Sequence, residues 1–181
     1  WVSNGTFAKY AALWLSIDPS RGNEGGGIAV IPLDLPGISR GKPLDKIGQR
    51  DLNQGELFFD DVRVPLENLI GEEGRGFYHV LHFFDESRIQ IAAQALGTAQ
   101  GAYDRALAYV KKREQFGKKI AQFQVTQHKL ADMATSIELA RLITYKAAWN
   151  FDQGRIDPKL TSMAKMYAAK TAVEVCDEAI Q

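Results

Sequence analysis

Cysteine is nearly absent from these 181 residues: Cys176 is the only one. A lone thiol excludes an intrachain disulfide and fits a cytosolic or otherwise reducing compartment. Histidine is scarce, with three residues, and no Cys/His/carboxylate cluster has the spacing of a zinc site. His79 and His82 share a helix face without a third ligand nearby. Cys176 has neither a His nor another base beside it, which argues against a thiol nucleophile. Net charge is absent too, with 22 basic and 22 acidic residues. A nucleic-acid binder is usually basic overall, so any basic patch here is local. No apolar run approaches the roughly 20 residues of a membrane span, and no signal peptide opens the chain. "GNEGGG" (22–27) lacks both a Lys-Ser/Thr end and a following helix, so it reads as a mobile hairpin and not a phosphate loop. The first residue is Trp1, and "TAVEVCDEAIQ" ends inside a helical pattern. The chain therefore reads as part of a longer protein.

What is present divides into two grammars. "WVSNG" reads as the end of a strand entering a turn. "YAALWLSID" (10–18), "GGIAVIPLD" (26–34) and "GELFFDDVRVP" (55–65) are short apolar runs bounded by Gly, Pro and Asp. Their spacing predicts an antiparallel sheet or part of a barrel. After "GEEGRG" the period becomes helical. Phe77, Val80, Leu81 and Phe84 are spaced three and four apart, and the stripe continues through Arg88, Ile91 and Ala95. This first helix is predicted from Gly76 to about Lys112. Its Ala- and Gly-rich middle fits close approach by another helix, because Gly in a helix costs about 1 kcal/mol relative to Ala. A second helix presents Leu130, Met133, Ile137 and Ala140 and runs to about Asp152, with Gly154 as its C-terminal cap. A third begins at "DPKL", with Asp157 as N-cap and Pro158 at the first helical position. The prediction is α+β: a partial antiparallel β-sheet or barrel in residues 1–72, then an antiparallel helical bundle in residues 73–181. Three long helices are predicted, and the bundle is expected to be short of its fourth.

One stretch mixes chemistries. "KKREQFGKKIAQFQ" (111–124) places five cations around Phe116 and adds two glutamines and Phe123. Cations at a helix C-terminus suit its dipole, so a solvated helix end explains the charge. That reading leaves Phe116, Gly117, Gln122 and Gln124 unexplained. Arg113 has the planar fork that suits phosphate, and an aromatic with an amide can hold a base. A dinucleotide would use all of these. Single-stranded nucleic acid would as well, but net neutrality and the absence of further interleaved aromatics count against it. Asp85 and Arg88 lie three apart on one helix face within an otherwise apolar stripe. They read as an intrahelical ion pair, partly buried, or as a pair whose partners include a ligand.

These pieces, in this order, resemble the acyl-CoA dehydrogenase family. "WVSNG" resembles its Trp-Ile/Val-Ser/Thr-Asn-Gly strand and "FFDDVRVP" its Phe-Asp/Glu-Asp-Val-x-Val-Pro strand. "GEEGRGF" resembles the turn into its helical domain, and "REQFGKKIAQFQ" its Arg-x-x-Phe-Gly motif with the following Gln. The resemblance implies a middle β-barrel and a C-terminal four-helix bundle, FAD as cofactor, and a homotetramer. It also implies α,β-dehydrogenation of an acyl-CoA thioester to the trans-2-enoyl-CoA, with electrons passing to electron transfer flavoprotein. Trp1, Val2 and Ser3 match residues covering the flavin ring, the Ser hydroxyl reaching N5. Arg113, Gln115, Phe116 and Gln124 match the motif that holds the distal half of FAD across a subunit interface. Gln181 matches the first residue of a Gln-x-x-Gly-Gly element at the same cofactor. Asp85 and Arg88 match an Asp-x-x-Arg pair of the acyl-CoA pocket. No catalytic base is assigned in the chain. A minority of relatives carry it immediately before that Arg, where this chain has Ser87, and Glu86 is rotated about 100° away. The base is expected after Gln181. "GQRDLNQGE" (48–56) departs from the usual Arg-x-Ser-x-Thr pattern. An acyl-CoA oxidase or a non-catalytic protein of the same fold would share the motifs.

Overall fold

The computed structural model describes residues 1–181 and divides them into two compact units, Trp1–Leu81 and His82–Gln181. In the first unit, β1 (Val2–Ser3) ends at Asn4, whose φ of 61° starts the turn that "WVSNG" foreshadows. The main ladder pairs β2 (Tyr10–Ser16) with β3 (Gly26–Pro32) antiparallel, from Tyr10↔Pro32 to Ser16↔Gly26. Strand period places Ala11, Leu13 and Leu15 on one face of β2. Ala29, Ile31 and Leu33 form the buried side of β3 and its extension. The "GELFFDDVRVP" run does not form one strand. It splits into β6 (Leu57–Phe59), which pairs with β4 (Ile38–Arg40), and a turn through Asp61 at φ 48°. β5 (Gln54–Gly55) pairs with β1, and β7 (Leu69–Ile70) adds a third strand beside β3.

The hairpin expected at "GNEGGG" is the connection between β2 and β3, and it carries local structure of its own. Residues Pro19–Glu24 form a 3-10 turn capped by Asp18, and Gly25, Gly26 and Gly27 are buried. Gly27 is where the first long helix, α1 (Gly76–Val110), starts against β3. A Cβ on Gly76 would lie 2.6 Å from the Gly27 carbonyl carbon, so no larger residue fits this backbone approach.

The second unit is helical. The C-terminal part of α1 packs with α2 (Gln124–Asp152) and α3 (Pro158–Ile180) around one core. Ala92, Ala99, Ala140 and Ala164 are completely buried at this core, and α2 and α3 approach each other closely. The α1 stripe is corrected by about one helical step. Leu81, Phe84 and Ile91 are exposed, whereas Ile89, Ala92, Leu96 and Ala99 meet the core. α1 has apolar side chains on more than one face, so its period alone does not select the contact side. On α2 the predicted side is the buried one: Met133, Ile137 and Ala140, continued by Thr144 and Ala147.

The two predicted caps have the expected geometry. Asp157 accepts from Lys159 N at 3.0 Å and Leu160 N at 3.1 Å, with Pro158 at the first helical position. After α2, Gly154 N–H donates to Phe151 O and Arg155 N–H to Asn150 O, a Schellman closure.

Candidate functional site

The basic stretch folds into a hairpin, which the sequence pattern does not announce. The chain leaves α1, and β8 (Glu114–Gln115) pairs with β9 (Lys118–Lys119). The two turn residues are Phe116 at φ 52° and Gly117 at φ 78°. Two consecutive positive φ values make a tight turn of the I′ kind, which normally takes Asn-Gly. An aromatic residue in the left-handed region is strained by roughly 1–3 kcal/mol. The strain is not offset by burial, since the Phe116 side chain is 92% exposed. Its one aromatic neighbour is Phe123, edge-on at 6.4 Å, and Lys118 Nζ lies 4.2 Å from the Phe123 ring centre.

Arg113 to Lys119 are all exposed, and none of the five cations of this stretch is in an ion pair. The Arg113 backbone is nevertheless fixed at both ends: its N–H donates to Tyr109 O and its carbonyl accepts from Ile120 N, each at 2.9 Å. Its guanidinium therefore projects from an ordered position without a protein counter-ion. Lys119 N–H donates to Gln122 Oε1 at 3.0 Å, which occupies Gln122 within the hairpin. Gln124 is the exposed first residue of α2. Phe123 precedes it and offers no side-chain cap, so the leading amides of α2 keep donors to spare. Gln181 follows α3 and lines an open cavity of about 840 Å³. Val125, Thr126 and Lys129 line the same cavity, so it meets the start of α2. Lys129 Nζ contacts Glu178 Oε2 at 2.6 Å, tying the first turns of α2 to the end of α3.

Asp85 and Arg88 pair at 2.6 Å. Their side chains are 16% and 33% exposed, so the pair is the most enclosed of the five ion pairs in the protein. Ser87 beside it spends its hydroxyl on the Phe84 carbonyl at 3.4 Å. No group of three His, Cys, Asp or Glu side chains is placed to hold a metal ion.

In the first unit Trp1 is 74% exposed, Val2 pairs with Gly55, and Ser3 pairs with Gln54. Two residues outside the predicted set organise this edge. The Arg40 guanidinium donates to Gly5 O at 3.0 Å, Ala8 O at 2.8 Å and Leu33 O at 3.2 Å, holding the turn that follows Ser3. Gln54 Nε2 donates to Ser3 Oγ at 3.3 Å. Neither carries a motif of its own. Arg40 stands in a loop composition, and Gln54 lies in the segment that departs from the usual pattern. Only the strand register reveals them.

A sequence model of the acyl-CoA dehydrogenase C-terminal domain matches residues 74–181. The chain belongs to the acyl-CoA dehydrogenase family. It is 41% identical over 184 residues to a probable acyl-CoA dehydrogenase of Bacillus subtilis, covering all of this chain and 48% of that protein. Among solved structures it is similar to butyryl-CoA dehydrogenase from Megasphaera elsdenii, with a TM-score of 0.94 and 41% identity over 99% of this chain and 47% of that one. A chain in a structure of the electron transferring flavoprotein of Acidaminococcus fermentans gives the same four values. The chain thus spans about half the length of the relatives it matches.

Proposed function

We propose that the full-length protein to which this chain belongs is an FAD-dependent acyl-CoA dehydrogenase. It would convert an acyl-CoA thioester to the trans-2-enoyl-CoA and pass electrons to electron transfer flavoprotein. The observation that carries the cofactor reading is the hairpin: an exposed aromatic on a strained turn beside an unpaired, positioned arginine. Both are costly or idle in the protein alone, and both suit an anionic ligand with a flat base. Arg113 would hold phosphate through charge-assisted hydrogen bonds, with Phe116 against the adenine and Gln115, Gln124 and Gln181 supplying amides. Trp1, Val2 and Ser3 would face the flavin ring. The family gives independent support, since a solved relative is an FAD-dependent dehydrogenase. We take residues 1–72 as the end of the barrel domain and 73–181 as the bundle domain, in line with the extent of the family match.

When bound, FAD supplies the acceptor for the substrate's β-hydride. The α-proton must go to a carboxylate base in a dry pocket, while hydrogen bonds to the thioester carbonyl stabilise the developing enolate. The resemblance puts that base after Gln181, and the engagement of Ser87 with its own helix agrees with this. Asp85 and Arg88 would line the acyl-CoA site as a mutually fixed pair. Exposed apolar stripes on α2 (Leu139, Leu142, Tyr145, Trp149) and on α3 (Met163, Met166, Val173) fit burial in a homotetramer. No helix is long and apolar enough to cross a membrane. The single cysteine suits the cytoplasm or a mitochondrial matrix.

Anaerobic titration of the full-length protein with a panel of acyl-CoAs tests the proposal. Bleaching of the bound flavin's visible band is expected with at least one of them. A protein that binds no FAD, or a flavin that no acyl-CoA bleaches, would refute it. Rapid reoxidation by oxygen without another acceptor would make it an oxidase.

A further inference from the structure

Gln54 belongs to no motif, and the fold gives it a defined place. β5 lies directly opposite β1, with Ser3↔Gln54 and Val2↔Gly55 as partners. Directly opposite side chains of an antiparallel pair sit on one face, with Cβ atoms about 4.5–5.5 Å apart. The backbone on either side of Gln54 is clamped. Asn53 O accepts from Asn4 N–H at 2.7 Å, and its side chain is hydrogen-bonded to the Thr6 hydroxyl. Gly55 is buried, and a Cβ there would lie 2.5 Å from Thr6 Cγ2. Gln54 O itself accepts from Leu44 N–H at 2.8 Å. The side chain therefore leaves from a fixed point, and its Nε2 reaches Ser3 Oγ at 3.3 Å.

We infer that Gln54 is a positioning residue that sets the direction of the Ser3 hydroxyl. A serine hydroxyl has one proton and two lone pairs. When Gln54 occupies a lone pair as donor, the Ser3 proton is left free for an acceptor outside the strand pair. Resting on the reading that Ser3 faces the flavin, that acceptor is the ring edge of FAD, and Gln54 tunes the cofactor without touching it. A residue that accepted from Ser3 would turn the proton inward and silence the hydroxyl.

The test is a double-mutant cycle in the full-length FAD-loaded protein, read as the reduction potential and visible spectrum of the bound flavin. Ser3→Ala, Gln54→Met and the pair are compared, with Gln54→Asn as a second variant whose shorter amide cannot reach Ser3. A hydrogen bond of about 0.5–1.5 kcal/mol predicts a roughly two- to tenfold change in the balance between oxidised and reduced flavin. For a two-electron couple that is about 10–30 mV. Gln54→Met and Gln54→Asn are expected to shift the potential in the same direction as Ser3→Ala, and to add nothing when combined with it. Two results overturn the inference while leaving Ser3 at the flavin: a Ser3→Ala shift with no Gln54 effect, or a Gln54 effect that persists undiminished in the Ser3→Ala variant. A Gln54 shift opposite in sign to that of Ser3→Ala overturns it as well. If Ser3→Ala itself leaves spectrum and potential unchanged, the flavin reading of Ser3 fails and the inference falls with it.

Discussion

The hairpin tip offers a perturbation in which stability and binding should separate. Phe116 has φ 52°, and its ring is almost wholly exposed. Gln115 and Lys118 are paired on either side of the turn, so the backbone conformation is set by the hairpin and not by the ring. Phe116→Ala removes the ring but keeps a Cβ in the left-handed region. Its loss in the apoprotein is the edge contact with Phe123, at most about 0.5–1.5 kcal/mol and nearer the low end at an exposed site. Phe116→Gly loses the same contact but relieves backbone strain of about 1–3 kcal/mol. Against this, the unfolded chain gains freedom worth about 0.5–1 kcal/mol. The glycine variant should therefore be more stable than the alanine variant by about 1 kcal/mol, and close to the parent. Binding should not follow this order. Stacking of one base on an aromatic is worth about 1–3 kcal/mol, so both variants should bind FAD about 5- to 150-fold more weakly. Urea unfolding of the apoprotein and fluorescence titration with FAD supply the two scales. If FAD affinity moves less than twofold in both variants, the ring has no ligand role. If both unfold several kcal/mol more easily, the ring supports the fold and the strain argument is wrong.

Three further outcomes are expected. Arg113→Ala should weaken FAD retention by about 10- to 150-fold, the loss of hydrogen bonds to a charged group of about 1.5–3 kcal/mol, and should loosen the oligomer. Ultrafiltration and sedimentation would check both, and unchanged retention would return the cation to a solvated rim. Arg88→Met should leave Asp85 without its 2.6 Å partner and destabilise the protein by about 1–3 kcal/mol, with Asp85→Asn in the same chain restoring part of it. Thermal unfolding measures the fold, and the Michaelis constant for acyl-CoA tells whether the pair also faces substrate. The Ser20 hydroxyl and amide donate to the Asp18 carboxylate at 2.6 and 3.0 Å and hold it below its ordinary value of 3.8. A depressed folded value stabilises the turn above 3.8, and that contribution disappears as pH falls through the folded value. NMR titration of the Asp18 carboxyl should show a midpoint below 3.8, rising in Ser20→Ala.

The parts of the fold legible in the sequence are those in which a local signal and a tertiary demand coincide. Asp157-Pro158 caps α3 because its side-chain oxygen and missing amide suit the first turn whatever surrounds it. Gly154 ends α2 for an equally local reason. The face of α1 was not legible in this way. Apolar residues lie on several of its sides, and periodicity alone cannot choose between the face of Ile89, Ala92, Leu96 and Ala99, which meets the core, and that of Phe84 and Ile91, which is exposed. The "GELFFDDVRVP" run failed for a related reason. Its composition is that of a strand, but its partner β4 is three residues long, and pairing ends where the partner ends.

The candidate site shows a different division. Residue types could be read from the sequence, because a cation, an aromatic and amides together already describe a ligand with phosphate and a base. Their geometry could not. Phe-Gly is not a usual signal for a tight hairpin, since only the glycine accepts positive φ without strain. The hairpin is closed by the pairs Glu114↔Lys119 and Gln115↔Lys118 and by Ile120 N–H on Arg113 O. The consequence is functional. A flexible basic loop would have to lose conformational freedom when it met an anion, whereas this one has already fixed its backbone. Arg113 and Phe116 then have only their side chains left to order. The strain at Phe116 is tolerable in the free protein only because the ladder on either side outweighs it. The same holds for Ser3 and Gln54, whose opposition depends on clamps at Asn53 and Gly55 that no motif announces. The chemistry of the site is thus written in residue types, and its readiness in backbone contacts between residues distant in sequence.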